Sequence, residues 1–279
     1  MQPLTPIFTA HLYPGLHQHL LELLRGLTAQ DWWRPTVCRD WSVHDIAAHM
    51  LDTQVRVLSL ARDRCDPPPP AEPLDSYAAL VRYLNRLNAE WTVASRRISP
   101  SVLTEFLAIT GPQVSAYVAS LDPDATARFG VAWAGEETSP NWFHIGRDYT
   151  EYWHHQQQIR DAVGARPLTS REWLHPVLAL FVRALPFTYR AVEAGAGQTV
   201  RVDIQGDAGG VWTLVRDDAN WTLWQGEETN PSVVVSLSDD TAWRIFTKGL
   251  PREKAESNVR LEGDIELARP FLGTLAVMA

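Results

Sequence analysis

Two cysteines in 279 residues, Cys38 and Cys65, are too few for a disulfide framework, so the fold has to rest on its packed core. No stretch approaches the roughly 18 uninterrupted apolar residues that a membrane helix needs, so no membrane-spanning helix is expected. The opening residues, Met1-Gln2-Pro3-Leu4-Thr5, lack a basic segment followed by an apolar run, so no signal peptide is expected. Positive charge is also short. A net charge of -8 argues against a general nucleic-acid binder, which needs a basic face to neutralise phosphates. There is no Walker-type loop, no dinucleotide-binding glycine fingerprint, no nucleophile-elbow serine and no internal repeat. These absences leave the expectation of a cytoplasmic chain with free thiols.

What is present is ordinary globular material, 45% hydrophobic and 21% charged, with one unusual count: 12 tryptophans, suited to cores and pocket walls. At about 150 residues per domain the length suggests two domains. The first reads as helices. Leu20, Leu21, Leu23, Leu24 and Leu27 form a helical stripe, and Ser42 followed by Asp45 makes a capping start for a helix running to about residue 62. Asp66-Pro67-Pro68-Pro69-Pro70 must be a loop. Helices follow at about 76–97 and 102–121. Residues 122–138 read as loop, with strand character near 129–133. A long helix then starts with Ser139 as cap and Pro140 in its first position, and stops at Gly164. Beyond Arg166-Pro167 the pattern changes. One more helix, about 170–193, precedes alternating strand-type runs at 199–204, 210–215, 221–224 and 233–237, then helices at 239–247 and 265–275. Gly206-Asp207-Ala208-Gly209-Gly210 reads as a hairpin turn. The division is a helical domain over 1–166 and a small α+β domain over 167–279.

The long helix carries Glu151-Tyr152-Trp153-His154-His155. Glu151 and His155 are four apart, one turn apart on one face, so a carboxylate oxygen and an imidazole nitrogen can reach one divalent ion. The helix from Ser42 supplies His49, and bundle interiors host such sites with ligands from facing helices. Two histidines and one carboxylate with an open position match a catalytic rather than a closed structural site. The plainer reading is a solvated helix pair worth a few tenths of a kcal/mol. His154 is a rival ligand, and His144 with Asp148 is a second four-apart pair. His44 reads as a surface residue. Cys38, in a short loop without an evident base, reads as a free structural thiol.

The stretch from Leu27-Thr28-Ala29-Gln30-Asp31-Trp32-Trp33-Arg34-Pro35-Thr36 to Trp41-Ser42-Val43-His44-Asp45-Ile46-Ala47-Ala48-His49-Met50 resembles the DinB/YfiT-like superfamily. Within it, the stretch is most similar to the N-terminal domain of mycothiol-dependent maleylpyruvate isomerases. The resemblance covers roughly residues 5–165. It implies a multi-domain chain: an all-α, DinB-like four-helix bundle followed by a small α+β, sterol-carrier-like domain. It also implies a metal site of His49, Glu151 and His155 holding a divalent ion, zinc first among candidates. Asp45 and Asp148, near those ligands in sequence, are the candidates to orient a ligand imidazole. The ending Val259-Arg260-Leu261-Glu262-Gly263-Asp264 is similar to the closing turn of the sterol-carrier-like domain. Relatives often carry Gly-Arg near Gly249. Here Leu250 follows the glycine, and Lys248 and Arg252 flank it as the candidates to contact an acidic substrate or thiol.

The implied activity is a metal-dependent isomerase or S-transferase that uses mycothiol or a similar low-molecular-weight thiol and a small-molecule substrate. A non-enzymatic metal or small-ligand binder and a metal-assisted hydrolase are the alternatives. Monomer and homodimer are both open.

Overall fold

The structure, a computed structural model, describes residues 1–70 and 73–277. Its contacts divide the chain into two compact units, each described here by itself. The helical unit comprises Thr9–Arg128 and Asp148–Pro167, and the sheet unit comprises Met1–Phe8, Phe129–Arg147 and Leu168–Val277. The division is therefore not one cut after residue 166. Phe129–Arg147 groups with the sheet unit because Trp133, which is buried, packs edge-on against Phe143 at 5.7 Å and Phe181 at 6.5 Å between ring centres.

The helical unit contains α1 (Tyr13–Arg25), α2 (Val43–Arg56), α3 (Tyr77–Ser95), α4 (Pro100–Ser120) and the greater part of α5 (Asn141–Val163). Its helix starts follow from local chemistry. Ser42 caps α2 in a complete capping box: its side chain accepts from the Asp45 amide, and Asp45 Oδ2 accepts from the Ser42 amide at 2.9 Å. Ser76 and Ser99 cap α3 and α4 by the same side-chain-to-amide bond. Helix α2 passes into a π-turn over Val57–Arg62. Helix α5 stops at Gly164, whose φ of +69° suits glycine, with the Ala165 amide bonded back to the Arg160 carbonyl at 2.9 Å. Its start differs from the expected cap. The Ser139 hydroxyl is engaged with the Val131 amide and Glu136 instead, so it ties down the preceding loop. That loop holds a 3-10 turn over Ala132–Ala134 where strand character was expected, ending at left-handed Gly135.

Inside the bundle a polar chain crosses four helices. His17 Nδ1 lies 2.6 Å from Tyr152 Oη, Gln54 Nε2 donates to the same oxygen at 2.9 Å, and Thr110 donates to Gln54. Helix α4 comes close enough only because residue 111 is glycine: a Cβ there would lie 2.1 Å from the His17 ring. Burial holds His17 at a pKa of about 4, with Arg25 adding to the effect, so the ring is neutral at pH 7.

The sheet unit opens with β1 (Gln2–Pro3), which is too short to show periodicity in sequence. Helices α6 (Arg171–Phe181) and α7 (Leu185–Tyr189), separated by a 3-10 turn, replace the single helix expected over 170–193. Strands β2 (Thr199–Gln205), β3 (Gly210–Arg216), β4 (Trp221–Gln225) and β5 (Val233–Ser238) fall on the four predicted runs. Helix α8 (Asp239–Phe246), α9 (Arg252–Asn258), β6 (Arg260–Gly263) and α10 (Ile265–Ala268) complete it. The strand order is β1-β4-β3-β2-β5-β6, with β2 and β5 the parallel pair. Gly206, at φ +115°, turns β2 into β3 as the glycine-rich run predicts. Alternate residues Val200, Val202 and Ile204 of β2 and Val233, Val235 and Leu237 of β5 are buried, joined by Trp212, Phe181, Phe246 and Phe271.

Candidate metal centre

Helix α5 turns Glu151, His154 and His155 into the bundle, and one ligand atom from each lies within 4.8 Å of the others. His155 Nε2 is 3.5 Å and His154 Nε2 is 3.8 Å from the same oxygen, Glu151 Oε2. The His49 ring of α2 sits edge-on to His155 at 4.9 Å between ring centres, and the Trp41 ring lies 5.1 Å from His49. His49, His154 and His155 are 7%, 4% and 7% exposed.

Three features set the chemistry. First, the imidazoles are oriented. Gln158 Oε1 faces His155 Nδ1 at 2.8 Å and can only accept there, so that nitrogen carries the proton and Nε2 keeps a lone pair. The Thr150 carbonyl does the same for His154 Nδ1 at 3.0 Å. Second, the His154 and His49 rings are neutral. Burial, reinforced by His155, holds His154 at about 4. Burial, with His155 and Arg56 nearby, pushes His49 well below the ordinary histidine range. Third, His49 Nδ1 is buried with no hydrogen-bond partner. Neutral imidazoles beside a carboxylate, with two lone pairs aimed at one place and a third nitrogen unsatisfied, are the donor set of a borderline divalent ion. The residues fit such a group.

The structure distributes the expected residues unevenly. Glu151 and His155 meet as their spacing predicts, His49 is beside His155, and His154, treated as a rival in sequence, joins them. Asp45 is spent elsewhere: Ser42 and Arg96 engage its carboxylate, the latter at 3.0 and 3.2 Å. The groups that orient the imidazoles are Gln158 and the Thr150 carbonyl, because they lie one helical turn from the rings they meet. Asp148 is one turn before Glu151 on α5. Lys248 and Arg252 belong to the sheet unit, where exposed Arg252 pairs with Glu256 at 3.0 Å and Lys248 adopts a positive φ of 58°. His144 also falls in the sheet unit. His44, expected at the surface, is fully buried: it stacks on Trp33 at 5.0 Å, and its Nε2 meets the Ile98 carbonyl at 2.9 Å. Cys38 shares Gln158 with His155 through a side-chain hydrogen bond. Burial, then the Glu151 charge, push the Cys38 thiol up to about 11, which fits a structural thiol rather than a nucleophile.

Comparison with known proteins bears on both units. The sequence model of the mycothiol maleylpyruvate isomerase N-terminal domain matches residues 14–160, more than half of the chain. That of the SCP-2 sterol transfer family matches residues 184–276. No curated protein matches. Among solved structures, a mutant of the mycothiol-dependent maleylpyruvate isomerase is similar with a TM-score of 0.52 at 13% identity, over 85% of this chain and 86% of that one. The same enzyme without that mutation gives 0.49 at 12% identity, over 85% and 86%. The UbiJ-SCP2 ubiquinone synthesis protein gives 0.24 at 15% identity, over 33% of this chain and 76% of that one. At such identities the first likeness speaks for the fold alone.

Proposed function

The chain belongs to the mycothiol maleylpyruvate isomerase N-terminal domain family, and from that premise we propose that it is a divalent-metal- and low-molecular-weight-thiol-dependent isomerase or S-transferase acting on a small molecule. The observation that carries this reading is the cluster of Glu151, His154 and His155 ligand atoms on α5, with the buried His49 ring of α2 packed edge-on against His155. Glu151, His155 and His49 would hold the ion, with zinc favoured by the mixed imidazole and carboxylate set. When bound, the ion supplies Lewis acidity that keeps a thiol deprotonated near neutral pH.

The chain's own contribution is preparation. Burial keeps the His49 and His154 imidazoles unprotonated, so their lone pairs are available without proton release. Gln158 fixes which nitrogen of His155 is offered, the outer-layer role that commonly tunes such sites. The Trp41 ring packs against His49. In an isomerase, a bound low-molecular-weight thiol would supply a nucleophile that adds reversibly to a conjugated alkene, the π pair moving toward the neighbouring carbonyl, so that the former double bond could rotate before the thiolate is expelled and the trans alkene restored. A transferase retains the C–S bond. Neither needs an oxidant or reductant. Lys248 and Arg252 are the proposed partners for an acidic group on substrate or thiol.

The test is cis–trans isomerisation of a conjugated oxo-acid by the zinc-loaded protein, with and without mycothiol. Activity that needs both supports the reading, and turnover indifferent to thiol overturns it. His49→Ala should strip the metal, and a variant that keeps one ion per chain would remove His49 from the site.

The SCP-2 match favours a second reading in which the sheet unit binds an apolar ligand. Lipid retained by metal-free protein through purification would support it.

A further inference from the structure

A site with three protein donors leaves a position for water; the geometry on α5 points to a different resting state here. His154 is buried, its Nδ1 is committed to the Thr150 carbonyl, and its Nε2 lies 3.8 Å from the Glu151 oxygen that His155 Nε2 approaches at 3.5 Å. The two rings are 4.1 Å apart and tilted by 37°. An adjacent pair on a helix ordinarily diverges by about 100°, yet both Nε2 atoms address the same carboxylate oxygen. With Nδ1 bonded to the Thr150 carbonyl, a spectator histidine at this place would still bury Nε2 with no hydrogen bond shorter than its 3.8 Å approach to Glu151. Its placement is accounted for if Nε2 is a donor.

We propose that His154 is a fourth protein donor, completing a set of three imidazoles and one carboxylate with His49, Glu151 and His155. The inference rests on the metal reading above and deepens it. The position that a three-donor site gives to water is filled by His154 at rest. An incoming thiol then has to exchange against an imidazole. Soft sulfur competes for a borderline ion against a nitrogen donor far better than water does. His154 is thus a selectivity device, favouring thiol entry over activation of water, and it separates this centre from a metal-assisted hydrolase.

X-ray absorption at the zinc edge of the full-length, zinc-loaded protein counts the imidazoles without any substitution. Three imidazoles and one carboxylate are expected; two imidazoles with added water oxygens overturn the proposal. The cobalt-loaded protein supplies a second measurement. The wild-type visible spectrum should be that of a four-coordinate ion with three imidazoles and should not respond to millimolar imidazole. His154→Ala and His154→Gln, checked for helicity by circular dichroism, should shift away from that spectrum as water replaces one imidazole. His154→Ala should regain it with imidazole, and its sulfur-to-cobalt band should form at about tenfold lower 2-mercaptoethanol, the scale of a single outer contact or more. An unchanged spectrum and thiol midpoint in His154→Ala overturn the role of His154 while leaving the three-donor reading intact. Failure of the wild type to bind cobalt or zinc removes both.

Discussion

The two units solve the problem of an interior in opposite ways. The buried polar side chains of the sheet unit are hydroxyls: Ser139, Thr199, Thr213, Thr241, Thr247 and Thr274, set among Trp212, Phe181, Phe246 and Phe271. The helical unit buries His17, His44, His49, His154 and His155 together with Gln54, Gln156, Gln157 and Gln158. Burying an amide or imidazole costs free energy unless a partner compensates it, so an interior of this kind is maintained for chemistry or for precise registration of helices. The sheet unit is built for packing, and the helical unit gives up packing energy to hold donors in place.

The sharpest way to break that contrast is to damage the apolar half. Phe246→Ala should cost about 3–5 kcal/mol in denaturant unfolding of the sheet unit while one ion per chain is still bound by the helical unit; loss of metal in step with unfolding would show that the division of labour is wrong. Next, Gln158→Ala should leave the fold intact but weaken metal binding by about 10–100-fold, since His155 loses the acceptor that sets its tautomer; chelator competition measures this, and an unchanged affinity would reduce Gln158 to packing.

A third experiment uses protons. His17 is held at about 4 in the fold against an ordinary 6.5. Between those values the unfolded chain takes up a proton that the folded chain refuses, so this contribution to stability is intact above pH 6.5. It is lost as pH falls toward 4, at up to about 1.4 kcal/mol per unit. His17→Gln should flatten that part of the stability–pH curve in metal-free protein. The smallest effect is expected at Asp45, whose carboxyl is buried yet kept below the usual range by Arg96 and Ser42. Asp45→Asn should cost about 1 kcal/mol through the helix start, and the wild-type advantage, present above the ordinary carboxylate range, should fade as pH drops through the depressed value. Thermal melts of both proteins at pH 7 and pH 3 check it.

Much of this architecture is legible in sequence wherever the determinant is local. Ser42 and Asp45 start α2, Gly164 stops α5, and the four long strands follow their alternation, because each depends on residues within a turn or two. The Glu151 and His155 pair is legible for the same reason. What sequence does not show is set by distant partners. Ser139 looks like a cap, but the Val131 amide and Glu136 claim it. His44 looks exposed until Trp33 and the Ile98 carbonyl enclose it. Gln158 gives no signal until the face of α5 that carries His155 is known, after which its place one turn further on makes it the obvious candidate.

The segment Phe129–Arg147 bears on how such a chain can be rebuilt. It lies inside the stretch of sequence that matches the isomerase domain, yet Trp133 and Phe143 complete the aromatic packing around Phe181. The first turns of α5 thus serve one unit and the rest of the same helix carries the proposed metal donors of the other. Exchange of whole halves between relatives, by recombination or by design, would split this helix's two obligations. A graft joined at residue 166 would bring foreign residues to the Trp133 seat, whereas one that keeps residues 129–147 with their own sheet unit preserves both.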